Sequence, residues 1–254
     1  MKFGDLFSRR TSANGQELAS QPASNAASAI DPAALELARL EMVERQLRKR
    51  GIRSARVLDA MASVPRHLFV PPVNAVNAYA DTPLPIGEGQ TISQPYMVAA
   101  MADELLLEGN EKVLEVGAGS GYQAAVLSLL ACEVIAVEAQ ATLAEQARER
   151  LARLGYHSVR VEIGDGSQGW PPDAPYGAIL VTAGAPSIPS PLTEQLAEGG
   201  RLVIPVGSMQ EQTLLRVTKR EGRVAQESLF ACRFVPLLGR HGWPPDARQE
   251  PADE

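Results

Sequence analysis

Cysteine is nearly absent from this 254-residue chain: Cys132 and Cys232 are the only two. A pair of thiols, each inside an apolar strand-like run, makes neither a disulfide framework nor a metal-ligand spacing, so both are expected to be buried free thiols. Histidine is almost as scarce. His67, His157 and His241 are scattered along the chain and form no recognisable dyad or metal set, which leaves no metal site to name. A basic excess is also missing. With 24 Lys and Arg against 30 Asp and Glu, the net charge is −6, and such a balance offers no broad field for nucleic acid or an anionic membrane. The local cluster Arg45, Arg48, Lys49 and Arg50 reads as the solvated last turn of a helix, where cations complement the helix dipole. No uninterrupted apolar stretch approaches the roughly 18 residues of a membrane span. The first residues lack the apolar core of a secretory signal. Together these absences point to a cytoplasmic protein with neither nucleic acid nor membrane as partner.

What is present is enough apolar sequence, 45% of the chain, to bury one α/β domain with an appendage. Residues 1–30 are rich in Ser, Ala, Asn and Gln without periodicity and are expected to be a disordered extension. Asp31 and Pro32 then supply an N-cap and a first helical residue, Leu40, Val43 and Leu47 form a helical stripe, and Gly51 stops it. A short helix is expected at 56–63. Prolines and glycines interrupt residues 71–94, which read as a long irregular functional loop able to close over a substrate as a lid. From residue 112 apolar runs alternate with helical segments: strands at 112–116, 134–137, 159–163, 178–181 and 202–206, helices at 122–130 and 141–154. Parallel neighbours need crossover connections, so this alternation specifies a parallel sheet with helices on both faces. The runs 213–218 and 228–235 lack a helix between them and read as an antiparallel hairpin at the sheet edge. The expected architecture is a Rossmann-like α/β fold: about seven mostly parallel, twisted strands with an antiparallel edge hairpin and an N-terminal helical cap. Its parts are an extension at 1–30, N-terminal helices and a substrate loop at 31–110, a cofactor-binding α/β domain at 111–243, and a flexible tail at 244–254.

The sharpest chemical signal is Val-Leu-Glu-Val-Gly-Ala-Gly-Ser-Gly-Tyr at 113–122, a strand entering a glycine turn and then a helix. Glycines there let the backbone approach a ligand closely and leave helix N–H groups for an anionic group. A dinucleotide fingerprint starting at Gly117 requires glycine at 122, where Tyr122 stands; a nicotinamide dehydrogenase is disfavoured on that ground. The order Gly117, Gly119, Gly121 after the acidic Glu115 resembles the first motif of S-adenosylmethionine methyltransferases. Glu115 would face the amino-acid end of that metabolite. Glu138, closing the second strand, stands near the place where a carboxylate accepts both ribose hydroxyl protons. Asp165, in Gly164-Asp165-Gly166, follows the third strand and could accept from an adenine amino group.

The segment Ala-Asp-Thr-Pro-Leu-Pro-Ile-Gly-Glu at 80–88, continuing as Gly-Gln-Thr-Ile-Ser-Gln-Pro at 89–95, closely resembles the signature loop of protein-L-isoaspartate O-methyltransferases. Further matches run over residues 40–243, among them Val64-Pro65-Arg66 and Phe234-Val235-Pro236-Leu237. The resemblance implies a methyltransferase fold and methyl transfer from S-adenosyl-L-methionine to the free carboxylate of L-isoaspartyl residues in damaged proteins and peptides, whose ester then closes to a succinimide. It also implies a monomer. It places Ser93 in the active site, with Gln90, Thr91 and Ile92 lining the cofactor or substrate, and Gly166 beside the cofactor. Read without the family, Ser93 is a helix N-cap for the helix starting near Pro95. Ile86 and residues 235–237 are expected to line the peptide cleft, or else to be core. One departure is Gly177, where the family usually has aspartate; an acid there is expected near the cofactor end. Alternatives are a related methyltransferase with another acceptor and a cofactor-binding adaptor without turnover.

Overall fold

In the computed structural model Asp31 caps the first helix, α1 (Pro32–Met42): its carboxylate accepts from Ala33 N at 3.0 Å, and Pro32 fills the first helical position. The structure describes residues 31–244 and 246–247; the extension expected at 1–30 and most of the expected tail lie outside the described residues. The helix continues through a π turn at Val43–Leu47 and a 3-10 turn at Arg48–Arg50, and stops where Gly51 takes φ 101°. Of the expected stripe, Val43 and Leu47 are buried while Leu40 stays half exposed. The basic cluster is largely paired. Arg45 and Arg48 reach Glu41 and Glu44 one turn back, and Arg50 reaches Asp81. Helix α2 (Ala55–Ser63) begins one residue earlier than expected, on a Ser54 cap.

Residues 71–94 are more ordered than their prolines and glycines suggested. A 3-10 segment covers Pro72–Asn77, and β1 (Leu84–Gly87) pairs antiparallel with β2 (Gln90–Ile92) around a turn in which Gly87, Glu88 and Gly89 all have positive φ. Gly87 and Gly89 supply the positive φ that this turn requires. Helix α3 (Pro95–Glu104) follows.

The main sheet has the order β5-β4-β3-β6-β7-β8-β9. Five strands are parallel: β3 (Lys112–Val116), β4 (Glu133–Glu138), β5 (Val159–Ile163), β6 (Tyr176–Val181) and β7 (Leu196–Gly207). The antiparallel pair β8 (Gln212–Arg220) and β9 (Arg223–Cys232) closes the edge. Helix α4 (Tyr122–Ser128) links β3 to β4, and α5 (Ala141–Arg153) links β4 to β5. Two expectations shift. Strand β7 starts at Leu196, six residues before the expected start, and β9 starts at Arg223, ahead of the expected 228, where its first six residues are exposed and carry no apolar alternation to mark them.

Period-2 alternation divides the interior. On one face Val113, Val134, Ala136, Ala178 and Leu180 pack with Met42, Leu58 and Met101 of the N-terminal helices; on the other Leu114, Val116, Ile135, Val137 and Ile179 form a second core. The expected segments 31–110 and 111–243 therefore share one core. Both cysteines are free thiols as expected, but their expected burial is not found: Cys132 is exposed just before β4, and Cys232 is half-buried, its thiol pushed up to about 11 by burial.

The register also relocates Gly177. It precedes Ala178, which lies opposite Val113 at the start of β3, while the cofactor turn follows Val116 at the other end. The expectation that an acid at 177 would sit near the cofactor is overturned. A Cβ there would lie 3.0 Å from Cβ and Cγ of Glu111, whose carboxylate accepts from Glu108 N and Gly109 N at 2.8 Å. Gly177→Asp should therefore lower stability by about 1–2 kcal/mol, through crowding and like charge, and leave affinity for S-adenosylhomocysteine unchanged. Thermal unfolding and titration calorimetry check this; lost affinity at an unchanged melting temperature would return position 177 to the cofactor end.

Candidate functional site

The sheet order places β3 at the switch point. The chain winds from β3 through β4 to β5, then returns to the other side of β3 with β6, and such a reversal leaves a crevice beyond the carboxyl ends of the strands. Into that crevice come Gly117 after β3, Glu138 at the end of β4, Gly166 after β5 and Thr182 after β6, all lining one cavity of about 260 Å³.

The glycine turn is tight for steric reasons. Gly117, Gly119 and Gly121 have φ of 96°, 51° and 84°, a region side-chain-bearing residues rarely adopt. A Cβ on Gly117 would meet Thr182 Oγ1 at 2.5 Å. The turn spends its donors on itself. Gly117 N donates to Val137 O at 2.8 Å, Gly119 N to Glu138 Oε2 at 2.9 Å, Gly121 N to Ala118 O at 2.8 Å and Tyr122 N to Ser120 Oγ at 3.4 Å. The expected helix N–H groups for an anion are thus largely committed, and close backbone approach is what the turn offers. Tyr122, in the place where a dinucleotide fold needs glycine, is fully buried with Phe69 edge-on at 5.5 Å and the Arg66 guanidinium 4.9 Å from its ring.

Glu138 is nearly buried. Its oxygens accept from Gly119 N and Gln140 N, at 2.9 and 3.0 Å, which fixes the carboxylate while leaving further lone pairs for the cavity. Asp165 differs from expectation. It accepts from Ser167 N at 2.9 Å, Ser167 Oγ at 2.6 Å, Gln168 Nε2 at 3.1 Å and Arg240 N at 2.8 Å. Burial works to raise its carboxyl pKa, but these donors outweigh it and hold the carboxyl below its ordinary value. Its side chain ties two loops together, and its neighbour Gly166 lines the cavity instead.

Glu115 is the most unusual group. It is fully buried, and among the described residues both carboxylate oxygens lack a partner. Burial first, and the Glu138 charge second, hold its carboxyl well above the ordinary carboxylate range. It lines a gap of about 40 Å³ together with Thr91, Ile92, Ser93, Gly117, Gln123 and Thr182. The buried Gln123 Nε2 also lacks a partner. An unpaired acceptor and an unpaired donor in one gap complement a zwitterionic amino-acid group, whose ammonium needs the first and whose carboxylate needs the second. The residues present fit S-adenosyl-L-methionine.

Ser93 opens the same gap onto a larger cleft of about 610 Å³. Its alternative role as a helix cap is filled by another residue: no side chain of the N-cap position bonds to α3, and Asp81 Oδ1 instead accepts from Tyr96 N at 3.1 Å while Arg50 holds its other oxygen. Among the described residues the serine hydroxyl has no hydrogen bond, and Ser93 lines both gap and cleft. Thr91 and Thr182 line the donor cavity, the gap and the cleft alike. Thr182, with Oγ1 donating to Val116 O at 3.0 Å and Gly117 O at 2.8 Å, escaped the sequence reading, as did Gln123. The position of Thr182 directly after a parallel strand was the available signal. Gln90 lines the donor cavity, and Gln140 Nε2 donates to Glu88 O at 3.3 Å, pinning the β1–β2 turn beside it. Val235 and Pro236 line both donor cavity and cleft, Leu237 the donor cavity alone, and Ile86 neither; Ile86 lies against the glycine turn, 3.4 Å from where a Gly119 Cβ would stand.

The family model for protein-L-isoaspartate(D-aspartate) O-methyltransferases matches residues 38–242. The chain belongs to this family. A protein-L-isoaspartate O-methyltransferase of Geotalea uraniireducens is 58% identical over 210 residues, covering 82% of this chain and 97% of its own. One from Methanoculleus marisnigri is 56% identical over 205 residues, 81% and 93% of the two chains. Among solved structures, a protein-L-isoaspartate O-methyltransferase superposes with TM-score 0.73 at 30% identity over 80% of this chain and 67% of its own. A Plasmodium falciparum chain described as the same enzyme, in complex with S-adenosyl-L-homocysteine, gives 0.69 at 28% identity over 79% and 98%. As a member of this O-methyltransferase family the chain takes its methyl group from S-adenosyl-L-methionine. Among the described residues no helix is long and apolar enough to cross a membrane.

Proposed function

We propose that this protein-L-isoaspartate O-methyltransferase works by alignment and desolvation rather than by proton transfer, with Glu115 and Glu138 holding the methyl donor and Ser93 orienting the acceptor carboxylate of an L-isoaspartyl residue. When bound, the donor supplies an electrophilic methyl group on a positively charged sulfur. The acceptor carboxylate, with a solution pKa of about 4, is already ionised at neutral pH, so no general base is required. Among the described residues no histidine lines the donor cavity, the gap or the cleft.

The residues act in sequence of position. Glu115 and Gln123 take the amino-acid end of the donor, Glu138 the ribose hydroxyls, and the backbone at Gly166 lies along the base. Thr91 and Thr182 form the neck between donor and acceptor. Ser93 donates its hydroxyl hydrogen to the carboxylate and fixes the line of attack; held in this way, effective molarity alone can supply on the order of 7 kcal/mol. Exclusion of water from the narrow gap strengthens both charges' interactions with the wall. The observation that carries this reading is the junction itself: the orphaned Glu115 carboxylate and the uncapped Ser93 hydroxyl share one gap.

The test is methylation of paired synthetic peptides that differ only in an L-isoaspartyl or a normal aspartyl linkage, with labelled donor. Transfer to the first and not the second is expected. Transfer to neither, by a protein that binds the donor, would favour a different acceptor. The chain is expected to act as a monomer, since the peptide cleft is built from one chain's elements, and sedimentation at working concentration checks it.

A further inference from the structure

The acceptor cleft beside Ser93 is lined by apolar and neutral polar residues, including Met97, Met209 and Phe234, with a single charged side chain, Arg233. The main chain that follows Arg233 is anchored at two successive residues. Phe234 N donates to Gln212 Oε1 at 2.8 Å, and Val235 O accepts from Gly184 N at 2.8 Å. The Arg233 side chain itself is exposed and, among the described residues, has no hydrogen bond and no ion pair. A cleft-lining residue next to fixed main chain, with an exposed guanidinium that has no partner among the described residues, is an arrangement for meeting an anion that arrives with the substrate.

We propose that Arg233 is a specificity determinant that reads the charge of residues flanking the acceptor, favouring acidic neighbours and disfavouring basic ones. This rests on the acceptor cleft proposed above. The guanidinium does not suit the acceptor carboxylate as its main partner, because a bidentate clamp would occupy the lone pairs that must attack the methyl carbon. It suits a neighbouring Asp or Glu side chain, or another isoaspartyl carboxylate. The chain's net charge of −6 repels such segments at long range, and a local cation at the cleft offsets that repulsion where the peptide enters.

The measurement is kcat/KM on three isoaspartyl peptides that differ only in flanking residues, acidic, neutral or basic, for the parent, Arg233→Lys and Arg233→Glu. The ratio of acidic to basic peptide is the readout, and it is independent of how much of a variant is folded. In the parent the acidic peptide should lead by about threefold to fivefold, the range of a partly exposed ion pair. Arg233→Lys should keep that order and Arg233→Glu should reverse it, through KM more than kcat. Roughly 0.5 M salt should flatten all three ratios. An unchanged acidic-to-basic ratio in Arg233→Glu overturns the proposal. A parent that ignores even the neutral isoaspartyl peptide would remove the cleft assignment itself, and the specificity role with it.

Discussion

Glu115→Gln should abolish most donor affinity while making the ligand-free protein less sensitive to alkaline pH. In the parent, the native Glu115 carboxyl lies well above glutamate's ordinary 4.5 because burial, with no hydrogen-bond partner, disfavours its charge. The native state then holds this proton more tightly than the unfolded chain. Its contribution to stability is fully present below about pH 4.5 and is lost as pH rises through the raised native value. Glutamine mimics the protonated form at every pH, so parent and variant should melt together at pH 4.5 and separate toward pH 8, the variant higher. Each 1 kcal/mol of separation appears as about 2–4 °C in a domain of this size. Donor binding moves the other way. An ammonium beside Glu115 favours its charged form, and a hydrogen bond between charged groups contributes about 1.5–3 kcal/mol, so affinity for S-adenosylhomocysteine should fall by about tenfold to a hundredfold. Calorimetry should also show proton release on binding in the parent, reduced in the variant. Undiminished affinity in Glu115→Gln would mean that another group holds the amino-acid end.

Ser93→Ala should reduce kcat by on the order of a hundredfold, the scale seen when one preorganised hydrogen-bond donor is removed from a reacting oxygen. Affinity for S-adenosylhomocysteine and melting temperature should both hold, because Asp81 caps α3 and the serine does not. Loss of a serine cap typically costs ~1 kcal/mol. A drop in melting temperature of that size with full turnover would restore Ser93 to a capping role and move the catalytic contact elsewhere on the loop.

The two variants separate the two halves of the site. Glu115 lies on the strand, with the donor as its proposed partner; Ser93 lies in the loop between β2 and α3, with the acceptor as its proposed partner. The wall they share, Thr91 of β2 with Thr182 directly after β6, comes from elements about 90 residues apart in sequence that meet at this gap.

How far the sequence could be read depended on whether a signal was local. Strands β3 and β5 and the starts of α1, α4 and α5 were legible because apolar runs, a cap, a Pro–Gly pair and helical periodicity are all encoded within a dozen residues. Strand β9 was placed five residues late because its exposed half has no apolar pattern, and the β1–β2 hairpin was passed over because four- and three-residue strands leave too short a period.

By itself, the sequence determined the succession of strands in the main sheet with the helices α4 and α5 between them, the glycine turn whose backbone only glycine tolerates, and the family, through a contiguous loop motif. Tertiary structure alone decided which acids are already satisfied by hydrogen bonds and which are left open. Asp165 and Glu115 are both acids close to a glycine-containing turn at the carboxyl side of a strand, yet among the described residues four donors surround the first and none meets the second. It also decided that Ser93 is free, since the oxygen that caps its helix comes from Asp81, and that Gly177 lies at the far end of its strand from the cofactor. The physical reason is common to all three: hydrogen-bond satisfaction and strand register are set by partners distant in sequence, and no local pattern records them.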